Sequence, residues 1–177
     1  MKTIILASKS EVRKKILDEN NIKCAVEPSN LDEDEVKKSL INQEATPELI
    51  SKNLAELKAN KVSMKFYNKL VLGADSVIDL KGKVISKPAD RKDALEILKQ
   101  LNGNSHHLIS SACISKDGNM IWNYTDKATL TMKSFSDNDL ILYLSKISDE
   151  ALYAYNVYQI EGEGRKLFSD IKGDKNT

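Results

Sequence analysis

The chain has 177 residues, of which 41% are apolar and 30% are charged, a composition typical of a soluble globular protein. Its 27 lysines and arginines are balanced by 26 aspartates and glutamates, which excludes bulk electrostatic attraction to nucleic acid or to an anionic membrane. Any affinity for phosphate must therefore come from a local cluster of charges. No apolar run is long enough to span a bilayer, and the short run at residues 1–6 does not predict a signal peptide.

The cysteines and histidines limit the compartment and the kind of metal site. Cys24 and Cys113 are far apart and form no CxxC motif, which favours two small core residues in a reducing cytoplasm. His106 and His107 are adjacent, and they are the only histidines, which argues against a multi-histidine metal centre. A hard metal ion held by carboxylates remains open.

The chain begins with a pattern that is typical of anion-binding turns. Residues 3–17 predict a buried strand and then a helix for which Ser10 is a good N-cap. This arrangement directs free backbone N–H groups and the helix dipole at the intervening turn, where Ser8 lies. Arg13 and Lys14 oppose the dipole in the first helical turn, and a bound anion would relieve that conflict. The alternative is a basic, solvated helix face.

Two charged features follow. The acidic run at residues 31–35 predicts a helix start or a solvated face, although Glu33 could instead bind a metal or orient a basic residue. Apolar residues at helical spacing predict a long helix over residues 47–64, with Lys58 on its polar, solvent-exposed side.

Residues 71–88 predict a buried strand that ends in a carboxylate, followed by a short hairpin that returns a lysine. Gly73 would let another backbone or a ligand approach closely. Asp75 is costly to bury unless it is paired or binds a cation. The alternative is that Asp75 caps a turn and Lys87 is solvated, and these two residues alone do not decide between the interpretations.

The remaining patterns complete a mixed order of strands and helices. Further helices are predicted over residues 90–101 and 136–147, and Ile141 is expected on the buried face of the second helix. Further strands are predicted over residues 23–27, 105–115, 120–132, 153–160 and 166–171. Because hairpins alternate with strand–helix units, this order predicts an α/β fold with a mixed sheet flanked by helices.

The ends of neighbouring strands in open α/β sheets meet at the edge where ligands bind. The predicted site therefore contains Ser8, Arg13, Lys14, Asp75 and Lys87, with Glu33 and Lys58 as further candidates. Several cations with two carboxylates suit a polyphosphate and a divalent metal, and an acid can orient or deprotonate water. The P-loop pattern GxxxxGK[ST] and the nucleophile pattern GxSxG are both missing from the sequence. The residues alone thus predict a phosphate-ester hydrolase.

Seven short motifs resemble, in order and spacing, the Maf family of nucleoside triphosphate pyrophosphatases. They are LASKSEVR at 6–13 (family LASxSPxR), DE at 32–33, LAELKA at 54–59 (LAxxKA), GADS at 73–76 (GAD[TS]), KP and DA within 87–94 (KPxxxxDA), LNGNSH at 101–106 (LSGxxH) and EGEG at 161–164 ([QE]GxG). The resemblance covers most of the chain and implies a single Maf-like domain over residues 1–177.

The resemblance implies metal-dependent hydrolysis of the α–β phosphate bond of a nucleoside triphosphate, with Mg²⁺ or Mn²⁺ as cofactor. It also implies an elongated mixed sheet with a nucleotide-binding cleft, similar to the inosine triphosphate pyrophosphatases. Asp75 would be the proton acceptor for the attacking water or a metal ligand, and Glu33 would help to bind the metal. The phosphates would be held by Ser8, Arg13, Lys14, Lys58 and Lys87.

Three positions that separate pyrimidine triphosphate enzymes from 7-methyl-GTP enzymes in this family align with Val12, Ser76 and Glu161. The first type carries Arg, Thr and Gln there, and the second carries Trp, Gln and Glu. Glu161 favours a guanine base because a carboxylate accepts two N–H donors, whereas Ser76 favours the Thr type and Val12 matches neither. The sequence leans to a guanine-type base such as that of 7-methyl-GTP, with dTTP or UTP as the alternative.

Three departures from the family pattern accompany these matches. Glu11 replaces a proline, Asn156 replaces the glycine of a G-x-Y motif near the base pocket, and the C-terminus is short, lacking an apolar GLP segment. We expect the short C-terminus to expose part of the core.

The expected partner is a nucleoside triphosphate in the cytoplasm, with neither nucleic acid nor membrane, and a homodimer is left open. Because Maf proteins are also linked to arrest of cell division, the alternative function is a non-catalytic, nucleotide-binding regulator.

Overall fold

The computed structural model describes residues 3–160, 162–174 and 177. The chain divides into two compact units. The first spans Met1–Val77, Ile109–Asp126 and Lys175–Thr177, and the second spans Ile78–Leu108 and Lys127–Asp174. Among the described helices, none has the length and apolar character needed to cross a membrane.

Strands and helices are interspersed along the described chain. The strands are β1 (Ile4–Leu6), β2 (Cys24–Val26), β3 (Val71–Leu80), β4 (Lys83–Ile85), β5 (Ser105–Lys116), β6 (Asn119–Met132) and β7 (Phe168–Lys172). The helices are α1 (Glu11–Glu19), α2 (Glu33–Asn42), α3 (Pro47–Ser63), α4 (Arg91–Leu101), α5 (Asp137–Ser145) and α6 (Asp149–Tyr155), and a 3₁₀ helix covers Glu163–Leu167.

Within the described residues, the seven strands form one mixed sheet in the order β2-β1-β3-β5-β6-β7, with β4 paired to β3. Strand β1 runs parallel to β2 and β3, whereas β3–β4 and β6–β7 are antiparallel. The predicted α/β fold with a mixed sheet flanked by helices is confirmed.

Side-chain caps start the helices of the first unit. The Ser10 side chain accepts a hydrogen bond from the Arg13 backbone N–H at the start of α1, as predicted. Thr46 caps α3 in the same way, with Pro47 in the first turn, where its missing N–H costs nothing. The acidic run, for which a helix start or a solvated face was predicted, begins α2, which Asp32 caps.

The second unit contains the larger apolar core. It is built from buried residues of α4, α5, α6 and the strands, including Leu98, Leu101, Leu130, Leu140 and Leu152. His106 is buried in this unit, and its Nε2 lies 2.8 Å from the Tyr158 hydroxyl. The His106 Nδ1 atom is buried without a hydrogen-bond partner in the described part of the chain.

Two local predictions for the second unit are wrong. Residues 153–160 form the end of α6 and a turn, not a strand, because Ser148 caps a helix whose first turn carries Asp149 and Glu150. Ile141 was expected inside α5 but is 51% exposed, since the buried face of this short helix is formed by its neighbours at helical spacing.

Candidate functional site

Gly73 brings helix α3 directly against strand β3 in the first unit. A Cβ atom added to Gly73 would lie 2.2 Å from the carbonyl oxygen of Ala55 and 2.8 Å from the backbone nitrogen of Ala59. Only a glycine on the strand, facing small residues on the helix, permits this close approach. Lys58 lies between the two alanines on α3, and Asp75 is two residues beyond Gly73, on the same face of β3.

Lys58 makes a buried ion pair with Asp75. The Lys58 Nζ atom donates to Asp75 Oδ1 at 2.7 Å and lies 2.8 Å from Glu33 Oε2. The prediction that Lys58 is solvent-exposed is therefore wrong, since the residue is only 3% exposed. A buried ammonium is tolerated because carboxylates from β3 and α2 both compensate its charge.

Asp75 keeps one carboxylate oxygen without a protein partner. The residue is 6% exposed, and its Oδ2 atom is buried with no hydrogen-bond partner among the residues that the structure describes. Because one ammonium serves both Asp75 and Glu33, the three side chains together carry an excess of negative charge. A buried, unsatisfied carboxylate oxygen is unusual in a protein interior and is typical of sites that bind or react.

The backbone around Asp75 is fixed by Ser51, a residue that the sequence analysis missed. The Ser51 hydroxyl is buried on α3 and donates to the carbonyl oxygen of Asp75 at 3.0 Å. Ser51 and Lys58 are seven residues apart, which places them on one face of the helix. The available signal was a serine at helical spacing with the buried apolar residues Ile50 and Leu54. Asp75 was also expected at a strand end, but β3 continues to Leu80.

The turn after β1 brings together two of the predicted site residues, Ser8 and Arg13. Strands β1 and β3 remain paired up to this turn, where the Ala7 backbone N–H donates to the Leu72 carbonyl oxygen at 2.8 Å. The Ser8 hydroxyl is then contacted by an Arg13 guanidinium N–H at 3.1 Å and by the Ser10 backbone N–H at 3.2 Å. The guanidinium keeps further N–H donors, which suit the oxygens of an anion.

Other predicted site residues of the first unit have different environments. The Lys14 ammonium pairs with Asp18 one helical turn away, at 2.6 Å on the exposed side of α1. Val12 is half-buried on the same helix. Ser76 is exposed, and its hydroxyl lies 2.8 Å from the hydroxyl of Ser110 on β5, a second polar neighbour that the sequence analysis missed.

Two further predicted site residues, Lys87 and Glu161, do not belong to the described part of the first unit. Lys87 belongs to the second unit, where it is exposed in the loop between β4 and α4. Glu161 lies outside the described residues.

Asp75 and Glu33 are the carboxylates that share the Lys58 ammonium. In the described ranges, no group of three or more histidines, cysteines, aspartates or glutamates could hold a metal ion by itself. Mg²⁺ commonly binds through one or two carboxylates and takes its other ligands from waters and substrate phosphates. The free Asp75 oxygen and the excess negative charge fit such a cation.

Comparisons with known proteins agree with these observations. The family model described as "Maf-like protein" matches residues 3–177. The chain is 70% identical over 177 residues to a nucleoside triphosphate pyrophosphatase of Pelagibacter ubique, covering 100% of this chain and 91% of that protein. It is 34% identical over 171 residues to a 7-methyl-GTP pyrophosphatase of Rhizobium etli, covering 97% and 86% of the two chains. The chain belongs to the Maf-like protein family.

The chain is also similar to a solved structure at low sequence identity. The chain matches the Staphylococcus aureus Ham1 protein with a TM-score of 0.45 and 18% sequence identity, covering 77% of this chain and 73% of that one.

Proposed function

We propose that the chain is a nucleoside triphosphate pyrophosphatase that hydrolyses the bond between the α and β phosphates. The observation that carries this proposal is the buried Lys58–Asp75 pair, which leaves Asp75 Oδ2 free of hydrogen bonds within the described residues. The family and the activities for which the two relatives are named support the reaction class.

Asp75 has the chemistry required of the proton acceptor. A water molecule attacks the α phosphorus, its proton passes to Asp75 Oδ2, and pyrophosphate leaves with the electron pair of the broken P–O bond. Lys58 holds Oδ1, so that the carboxylate cannot rotate freely and Oδ2 stays available. Proton transfer to a positioned group of this kind contributes about 10²–10⁴-fold to a rate.

The phosphates are assigned to the cations and hydroxyls predicted from the sequence. Ser8 orients the Arg13 guanidinium, whose planar fork matches phosphate oxygens. Lys87, which is exposed in the second unit, stays a predicted phosphate ligand.

Mg²⁺ or Mn²⁺ is the proposed cofactor, with Glu33 as a protein ligand and with Asp75 as a second ligand in the alternative in which Asp75 does not accept the proton. When bound, such a cation neutralises charge that develops on the phosphate oxygens. Glu33 suits this role because its side chain is 44% exposed, and it can turn from Lys58 to a cation without leaving a buried carboxylate unpaired.

The proposed base is guanine or 7-methylguanine, with dTTP and UTP as the alternative substrates. Glu161 supports guanine, because a carboxylate can accept hydrogen bonds from both N–H groups on the guanine edge. The cytoplasm is the proposed compartment, since both Cys24 and Cys113 are free thiols.

The test is a panel of triphosphates comprising GTP, 7-methyl-GTP, dTTP, UTP and CTP, each incubated with the chain and either Mg²⁺ or Mn²⁺. Products are separated by anion-exchange chromatography, with a chelator control. We expect a monophosphate and pyrophosphate in equal amounts, fastest with a guanine base and lost on chelation. Release of orthophosphate, or intact nucleotides throughout, would contradict the proposed reaction. A pyrimidine substrate as the fastest would contradict only the base assignment.

A further inference from the structure

Strand β1 covers only the beginning of β3. The described pairs of the two strands end at Leu72, whose carbonyl oxygen accepts from the Ala7 backbone N–H at 2.8 Å. Strand β4 pairs with β3 only from Ile78 onward, and β5 lies on the edge of β3 opposite to β1. In the part of the chain that the structure describes, residues 73–77 therefore have no strand partner on the β1 edge.

The backbone N–H of Ala74 points to this open edge. In a strand, the N–H and C=O of one residue point to the same side, and successive residues alternate between the two sides. The carbonyl oxygens of Leu70 and Leu72 accept from the N–H groups of Ile5 and Ala7, so the β1 edge receives the backbone groups of alternate residues, of which Ala74 is the next. Ala74 is half-buried, and a backbone donor in such a position rarely stays without a partner. This donor is available to a ligand.

The open edge begins at the turn that holds Ser8 and Arg13. Extending the register that pairs Leu6 with Leu72 by two residues places Ser8 beside Ala74. The Ser8 hydroxyl lies 3.1 Å from the Arg13 guanidinium, whose remaining N–H groups are further donors. A backbone N–H and a guanidinium on the same side of the strand suit the oxygens of a phosphate.

We propose that the Ala74 backbone N–H is a further phosphate-binding group, which donates to a non-bridging oxygen of the phosphate held by Arg13. The inference rests on the proposed function, which assigns Arg13 to the substrate phosphates. Ala74 directly precedes Asp75, so a phosphate bound there lies next to the proposed proton acceptor. A backbone donor that the sheet already fixes needs no reorganisation as charge develops on a phosphate oxygen. The role requires the N–H and not the alanine side chain.

The test replaces single backbone N–H groups with ester oxygens, by nonsense suppression with hydroxy acids that keep the side chain. Ala74→lactic acid removes the donor at the open edge, and Leu72→leucic acid removes a donor that faces β1. Because the residues before both positions face β5, the weaker ester carbonyl affects the two variants alike. The probe is the α,β-methylene analogue of GTP with Mg²⁺, which is not cleaved at the α–β bond. Binding is measured by isothermal titration calorimetry, and stability by urea unfolding.

We expect opposite effects from the two esters. Ala74→lactic acid should bind the analogue about ten- to hundredfold more weakly, the equivalent of one hydrogen bond to a charged group, and should be more stable toward urea than Leu72→leucic acid. Leu72→leucic acid should keep its affinity within about twofold and should lose stability, because its missing donor belongs to the pairing with β1.

Three results would overturn the inference. They are wild-type affinity in Ala74→lactic acid, an equal loss of affinity in both esters, and a loss of stability in Ala74→lactic acid as large as that in Leu72→leucic acid. A wild-type chain that binds the analogue but does not cleave GTP would refute the proposed reaction, while the comparison of the two esters would still test the Ala74 donor. A wild-type chain that does not bind the analogue would overturn both.

Discussion

Removal of the buried cation at residue 58 should cause a large loss of stability. In Lys58→Met, Asp75 loses the ammonium that lies 2.7 Å from Oδ1, while Oδ2 already has no partner in the described part of the chain. Methionine nearly fills the volume of the lysine stem, so the main effect is a buried carboxylate without a cation. Breaking a buried ion pair in this way costs about 3–5 kcal/mol.

Asp75→Asn, which removes the other partner of the ion pair, should cost less stability than Lys58→Met. The two losses in free energy of unfolding should not be additive in the double variant. In Asp75→Asn, the amide oxygen can still accept from Lys58, and Glu33 remains 2.8 Å from the ammonium, so we expect a loss of about 1–2 kcal/mol. The double variant contains neither the buried carboxylate nor the buried ammonium. Its loss should therefore be smaller than the sum of the single losses by about 1–3 kcal/mol.

The measurement is urea unfolding at neutral pH, followed by far-ultraviolet circular dichroism, with the slope against urea compared among variants. Lys61→Met is the matched control, because Lys61 is exposed on the same helix and its ammonium donates only to the Asn30 carbonyl oxygen among the contacts described. We expect this control to lose less than about 1 kcal/mol. Additivity of the two single losses, or a Lys58→Met variant as stable as the control, would refute the reasoning.

Three further predictions concern pH, packing and phosphate binding. Burial, assisted by the neighbouring His107, lowers the pKa of His106 to about 4, so this group contributes stability that is complete above pH 6.5 and is lost as the pH falls toward 4. The loss in free energy of unfolding amounts to about 3 kcal/mol. In His106→Gln, the free energy of unfolding should depend less on pH between 6.5 and 4. An unchanged pH dependence in this variant would contradict the assignment. Gly73→Ala must push α3 from β3, so we expect about 1–3 kcal/mol of destabilisation together with loss of hydrolysis, and a wild-type melting temperature would contradict this. Ser8→Ala removes the acceptor of the Arg13 guanidinium and should raise KM about two- to tenfold at a nearly constant kcat, whereas a fall in kcat alone would count against a role in binding.

The local signals in the sequence were sufficient for most helices and strands. The starts of α1 and α5 were predictable because their N-caps, Ser10 and Ser136, act within three positions along the chain. The strand predicted over residues 153–160 is wrong because two local signals conflict. The aromatic and β-branched residues favour a strand, but the Ser148 cap and two acidic residues favour the helix that forms.

The environment of Lys58 could not be predicted from its own helix. Spacing along α3 placed it on a polar face, but the carboxylates that compensate its burial come from α2 and β3. The close approach that buries it depends on Gly73, on a different element. Motif resemblance selected Lys58, Asp75 and Glu33, which the structure brings together, but it did not predict their contacts, because the family pattern retains only residue types.

Hydrolysis in ¹⁸O-labelled water is the most direct test of the proposed reaction and of Asp75 as its proton acceptor. The wild-type chain and Asp75→Asn are each given GTP and divalent metal, and the products are analysed by mass spectrometry. Attack at the α phosphorus predicts one ¹⁸O atom in GMP and none in pyrophosphate, with Asp75→Asn slower by about 10²–10⁴-fold while it still binds the α,β-methylene analogue. Label in pyrophosphate would contradict attack at the α phosphorus. Hydrolysis by Asp75→Asn at the wild-type rate would contradict the role of Asp75 as proton acceptor.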